Sequence, residues 1–355
     1  MSLDIHFATR RGSFALNVDL SLPDHGVTAI FGPSGSGKTT LLRVLAGLEH
    51  IPGCRLRFGD TVWQDESTFI PPHQRATGYV FQEPGLFSHL SVRRNLAFGL
   101  DRVPPHERSV SLDDAIELLD IGELLDRRPE TLSGGEQQRV AIARTLAVSP
   151  RLLLMDEPLS SLDNKLKQEI LPYLENLHRE LGIPVIYVSH ATDEVARLAD
   201  HLVILRKGEI LGHGPIRDML TRLDLPLAHR RDAESLIEAS VTGNDPEYGL
   251  TTLSAQGYAF VVTGAALSPG TQVRLRIAAH DVSVALAKQS GTSIQNIVPV
   301  TVAQVLEENA AQVLVKLQLG TDPLLARITR KSARDLGLVP GLQVFAQIKG
   351  IAVLA

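Results

Sequence analysis

A single cysteine, Cys54, stands among the 355 residues. One thiol cannot build an internal disulfide framework, so the chain is read as a protein of a reducing compartment that relies on its apolar core. Long apolar runs are missing as well: nowhere do about 18 uncharged apolar residues follow one another, as a bilayer-crossing helix needs. The opening Met-Ser-Leu-Asp-Ile-His-Phe lacks the basic-then-apolar pattern of a secretory signal. Any link to a membrane is therefore expected to run through another subunit. Positive charge is scarce too, with a formal net charge of −5, which argues against nucleic acid as the main partner. What remains is 44% hydrophobic and 21% charged, enough for a sizeable core, over a length that suggests about two domains.

The most informative stretch is Gly32-Pro33-Ser34-Gly35-Ser36-Gly37-Lys38-Thr39, followed by Thr40. It comes after the apolar run Val27–Phe31 and ahead of a helical pattern at Leu41, Leu42, Val44 and Leu45. That is the strand-to-helix context of a phosphate-binding loop. Glycines let successive N–H groups turn toward phosphates, Lys38 adds a point charge, Thr39 offers Mg²⁺ a hydroxyl, and the helix N-terminus favours anions. The implied ligand is a nucleotide.

Leu152–Met155 reads as a buried strand ending in Asp156-Glu157. Beside a phosphate loop, Asp156 is suited to hold Mg²⁺ and Glu157 to deprotonate an attacking water. Seen alone, Asp-Glu-Pro is also a polar turn after a core strand. Leu132-Ser133-Gly134-Gly135-Glu136 sits at a loop-to-helix start, where Ser133 is a natural N-cap and the glycines bare their N–H groups. On its own this is a capping box. Leu112, Ile116, Leu119 and Leu124, then Val140, Ala143 and Ala147, recur at helical spacing, predicting a helical insert between the phosphate loop and the Asp156 strand.

Taken together, these motifs and Ser189-His190 after the strand Val185–Val188 resemble the ATP-binding-cassette family over about Leu3 to Leu220. The resemblance implies an α/β P-loop ATPase domain with a helical subdomain and catalytic roles for Glu157, His190 and Gln82. It implies ATP contacts from Gly32 through Thr40, and from Ser133, Gly134, Gly135 and Asp163, with Mg²⁺ held by Thr39, Gln82 and Asp156. It further implies a homodimer that sandwiches ATP between the Ser133 loop of one subunit and the Lys38 loop of the other. The adenine-stacking residue stays open between Phe14 and Arg11, and a histidine after a strand is by itself more often structural.

Beyond Leu220, Thr221–Asp232 is charged and contains a proline, which suits a connector, and short β-type runs follow. Leu267-Ser-Pro-Gly-Thr-Gln-Val-Arg-Leu-Arg-Ile-Ala reappears as Leu338-Val-Pro-Gly-Leu-Gln-Val-Phe-Ala-Gln-Ile-Lys. The repeat predicts two related small barrels, or else two similar Pro-Gly turns ahead of strands. Expected boundaries are 1–232 for the ATPase domain, 233–290 for linker and first barrel half, and 291–355 for the second.

Thr292–Asn296 and Ala326–Ala333 resemble the molybdate-binding Mop domain. With the cassette, they make the chain similar to ATP-binding subunits of bacterial molybdate importers. By that resemblance Ser293, Asn296, Lys331 and Ser332 would hold an oxyanion such as molybdate, with Gln295 standing where the family has arginine. A barrel that only dimerises is the plainer alternative. Membrane permease subunits, a periplasmic oxyanion-binding protein and a peripheral place on the cytoplasmic face of the inner membrane are implied with it. Subunits of sulfate, sugar or polyamine importers, or an oxyanion-sensing module, remain alternatives.

Overall fold

The computed structural model describes the chain apart from residues 1, 102, 105, 107, 265, 266 and 355 and the side chains of 178–181. Two compact units divide it, Met1–His213 and Gly214–Ala355. The division falls ahead of the expected residue 232, because Ile216, Met219 and Leu220 are buried within the second unit.

In the first unit, β1 (Ser2–Arg11) and β2 (Phe14–Pro23) form an antiparallel hairpin. After β3 (Val27–Phe31) comes α1 (Lys38–Leu45). Then β4 (Arg55–Phe58) and β5 (Thr61–Gln64) complete a four-stranded sheet in the order β2-β1-β4-β5. Next, β6 (Thr77–Val80) is followed by three helices, α2 (Val92–Leu100), α3 (Leu112–Leu118) and α4 (Gly134–Leu146), which are the expected helical insert. The chain returns through β7 (Leu152–Asp156), α5 (Asn164–Leu181), β8 (Val185–Ser189), α6 (Thr192–Leu198), β9 (His201–Arg206) and β10 (Glu209–Pro215).

The second sheet has the order β10-β9-β3-β8-β7-β6, with β9, β3, β8, β7 and β6 parallel. Its β3, β7 and β8 are buried at every position, the mark of a parallel sheet covered on both faces. Sequence-distant segments therefore end side by side. The carboxyl ends of β3, β8, β7 and β6 form one continuous edge, where ligands of open α/β sheets are held.

The second unit starts with α7 (Ile216–Leu220) and continues through β11 (Glu234–Asp245), β12 (Leu250–Ala255), β13 (Tyr258–Thr263) and β14 (Gln272–Ala278). Then come β15 (Val282–Ala285), β16 (Asn296–Glu307), β17 (Gln312–Leu319), β18 (Asp322–Thr329), α8 (Arg330–Asp335), β19 (Gln343–Ile348) and β20 (Ala352–Leu354). The repeat is structural. Gly270 and Gly341 have φ 90° and 89°, and their N–H groups bond Val241 O and Val302 O at the same 2.8 Å. Each long strand carries a register shift there, at Val241/Gly243 and at Val302/Gln304.

The expected cut at 290/291 does not separate two barrels, however. β15 leaves the first half to pair with β19, and β20 leaves the second to pair with β14, so the halves exchange their last strands. One hydrophobic cluster runs through both, with Ile237, Phe260 and Leu275 joined to Val300, Leu317 and Val344.

Candidate active site

The phosphate loop fills the turn from β3 to α1 because its side chains are absent where the backbone must pass. A Cβ on Gly32 would stand 2.0 Å from Leu205 O, and Gly37, at φ 107°, would meet the Leu16 side chain at 2.9 Å. Lys38 is 4% exposed and donates to Gly32 O (2.9 Å) and Pro33 O (3.2 Å). Among the described residues Ser36 Oγ is buried without a hydrogen-bond partner, a polar atom left for a ligand such as a phosphate oxygen. Pro33, Ser34 and Gly35 are exposed beside it.

One strand over from β8, Asp156 closes β7. Its Oδ1 accepts from Thr39 Oγ1 (3.1 Å) and its Oδ2 from Tyr79 OH (2.9 Å). Burial raises the Asp156 pKa above the ordinary carboxylate value, against the lowering by those two hydrogen bonds. Burial, then the Asp156 charge, also pushes the Tyr79 hydroxyl far up. A carboxylate oxygen and a hydroxyl next to a phosphate loop are the hard oxygen donors Mg²⁺ takes, so the residues fit that ion.

Glu157 sits at φ 46°, a left-handed conformation that costs an ordinary residue about 1 kcal/mol or more. Its N–H donates to Val188 O at 3.0 Å, which helps hold the strained turn. The carboxylate is thereby aimed at two neighbours: Oε1 lies 3.3 Å from Lys38 Nζ and Oε2 lies 3.1 Å from His190 Nδ1. Gln82, two residues beyond β6, is exposed at the far end of the same edge.

Ser133, Gly134 and Gly135 stand on the insert instead of this edge. Ser133 caps α4 in a closed box: its N–H donates to Glu136 Oε2 (2.7 Å), and its hydroxyl accepts from Glu136 N (3.3 Å). The first of these bonds is the main cause of the lowered Glu136 pKa. Ser133 and Gly134 are exposed, and so is Asp163, which caps α5 by accepting from Leu166 N at 2.9 Å. At the hairpin, Arg11 pairs with Glu49, whereas the Phe14 ring reaches within 3.2 Å of where a Gly37 Cβ would stand.

The four expected oxyanion residues do not gather within one copy of the chain. Asn296 opens β16, and Ser293 lies three residues ahead of it. Lys331 and Ser332 lie on α8, beside the other end of that strand, where Arg330 pairs with Glu307 at 3.2 Å. The Asn296 amide is engaged with β13, accepting from Val261 N (2.7 Å) and donating to Val261 O (2.9 Å). Ser332 meets Thr329 Oγ1 through both its hydroxyl (2.8 Å) and its N–H (3.0 Å).

Tyr79, Glu194 and Lys167 were not singled out from sequence. Each acts through a partner on another strand or helix, a signal no local spacing carries.

Residues 15–160 match the ABC transporter family model, and residues 292–355 match the TOBE domain. The molybdenum import ATP-binding protein ModC of Aromatoleum aromaticum is 56% identical over 96% of this chain and 91% of its own length. Among solved structures, cbiO1 from Clostridium perfringens, part of the ABC transporter complex cbiONQ, overlays with a TM-score of 0.55 at 29% identity, covering 62% of this chain and 91% of that one. A dimeric ATP-binding cassette in a post-hydrolysis state, bound to ADP and Pi, gives 0.50 at 26% identity over 61% of this chain and 98% of the other.

Proposed function

Because the chain belongs to the ABC transporter family, among its molybdenum import ATP-binding proteins, we propose that the edge built by β3, β8, β7 and β6 hydrolyses ATP to energise molybdate uptake. The observation that carries this reading is the Glu157 carboxylate, placed 3.3 Å from Lys38 Nζ and 3.1 Å from His190 Nδ1.

Backbone N–H groups of the Gly32–Thr40 loop and the Lys38 ammonium hold the phosphates. Thr39 and Asp156 hold Mg²⁺, with Gln82 approaching from the neighbouring strand end. Mg²⁺, when bound, offsets the charge on the β- and γ-phosphate oxygens. Glu157 orients the attacking water and accepts its proton, and His190 touches the γ-phosphate. Phe14 stacks on adenine in this reading, a choice supported by the pairing of Arg11 with Glu49.

Ser133, Gly134, Gly135 and Asp163 complete the site of a second copy. The exposure of Ser133 and Gly134 on the insert, and of Asp163 ahead of α5, supports a homodimer that closes on ATP and reopens after hydrolysis. Membrane permease subunits near Gln82 carry the movement across the inner membrane. A periplasmic binding protein delivers the oxyanion, and the chain itself lies peripherally on the cytoplasmic face. Among the described residues no helix is long and apolar enough to span a membrane.

The test is ATPase activity of the assembled complex in the presence of molybdate-loaded binding protein. Stimulation supports the reading, and equal rates with empty and loaded binding protein overturn it.

A further inference from the structure

We propose that Glu194 is a positioning residue for ATP hydrolysis, holding the Ser189–His190 turn in register with α5. Glu194 is 2% exposed, yet its carboxylate is fully engaged. Oε2 accepts from Tyr187 OH (2.9 Å) and Ser189 Oγ (2.8 Å), and Oε1 accepts from Lys167 Nζ (2.9 Å). Ser189 Oγ in turn accepts from Ala191 N at 3.0 Å, so the backbone is fixed on both sides of His190.

Lys167 brings the other half of the device. Its N–H donates to Asp163 O at 3.0 Å, one turn into the helix that Asp163 itself caps. A shift of the 160–163 segment therefore moves Lys167, and through the Glu194 carboxylate it moves the turn that carries His190. A buried ion pair is a poor way to gain stability, since apolar groups of similar volume often serve as well or better. It is a good way to fix relative position, because its hydrogen bonds are directional.

The inference rests on His190 contacting the γ-phosphate, and the experiment separates the two. ATPase of the assembled full-length transporter is measured for Glu194→Gln, His190→Ala and the double variant, with KM for ATP and the melting temperature. Glu194→Gln is expected to lower kcat about tenfold while KM stays within about twofold, and in the His190→Ala background to change kcat by less than about twofold. Equal effects in both backgrounds, or an unchanged kcat in Glu194→Gln, overturn the positioning role. If His190→Ala alone keeps the wild-type kcat, the contact role of His190 falls and the inference falls with it. Should Glu194→Gln not fold, Lys167→Met takes its place in the cycle with the same expectations.

Discussion

The Lys38 ammonium lies 3.3 Å from Oε1 of Glu157, although 119 positions separate the two residues in sequence (157 − 38). The parallel order β3-β8-β7 makes the contact: the loop after β3 and the turn after β7 flank β8, whose own C-terminal turn carries His190 to the same carboxylate. One carboxylate thus faces both the lysine of the phosphate loop and the histidine, which sets the first expectation.

Glu157→Gln should keep ATP binding and lose turnover, because an amide can orient water but cannot take its proton. Removing a general base costs about 10²–10⁴-fold in rate. Steady-state ATPase and nucleotide affinity measured on the same preparation check this. A rate within a few-fold of wild type would assign the base elsewhere.

Asp156 illustrates a cost built into the site. Burial raises its folded pKa above the unfolded value of 3.8, so the folded state is favoured below that value and loses this stabilisation as pH rises through the folded pKa. Asp156→Asn should therefore melt higher than wild type near neutral pH in the absence of nucleotide. The gain is about 2–4 °C for each 1 kcal/mol recovered. It should shrink as pH falls toward 4, while Mg²⁺-dependent hydrolysis is lost at every pH. Melting curves at several pH values with EDTA decide it, and a lower melting temperature at pH 7 counts against this account.

Gly32→Ala should abolish nucleotide binding and destabilise the first unit. Its Cβ would stand 2.0 Å from the Leu205 carbonyl, which is backbone of β9 and cannot rotate away. Overpacking of this kind costs about 1–3 kcal/mol. Gly53→Ala, where the added Cβ meets nothing within 4 Å but φ is 74°, should leave ATP affinity intact at a small stability cost. Urea unfolding and nucleotide titration of both variants make the comparison.

Arg75 should tolerate no substitution, lysine included. Its guanidinium is buried and donates to Val44 O (2.7 Å) and Leu45 O (2.8 Å) at the end of α1 and to Ile70 O (2.8 Å). It lies 5.4 Å from the ring centroids of Trp63 and Phe69. Burial lowers its pKa to about 10, still well above neutral, so the charge and every donor are kept. A lysine cannot reproduce that planar fork, and Arg75→Lys should cost about 2–3 kcal/mol in denaturant unfolding. A loss below about 0.5 kcal/mol would mean the carbonyls find other donors.

Much of the site was legible because its parts are contiguous. Gly32–Thr39, Asp156-Glu157 and Ser189-His190 each follow an apolar strand, and parallel strands of one sheet bring such ends to one edge. Pairings between distant elements were not legible. Tyr79 on Asp156, Lys167 on Glu194 and Arg75 on the end of α1 depend on tertiary approach alone. The Pro-Gly repeat showed the kinship of the β-rich halves, whereas the exchange of β15 and β20 depends on strand register, which the repeat does not encode. Asn296 joins them: its place in a motif points to an oxyanion ligand, and only the fold shows its amide engaged with Val261 on both sides.

The most direct measurement of the central claim is molybdate uptake into vesicles that contain the assembled transporter, with ATP enclosed on the side of this chain and binding protein on the other. Wild type should accumulate molybdate only with ATP and Mg²⁺, and Glu157→Gln should accumulate none. Uptake by the Glu157→Gln transporter, or ATP hydrolysis that proceeds without any uptake, would contradict the account.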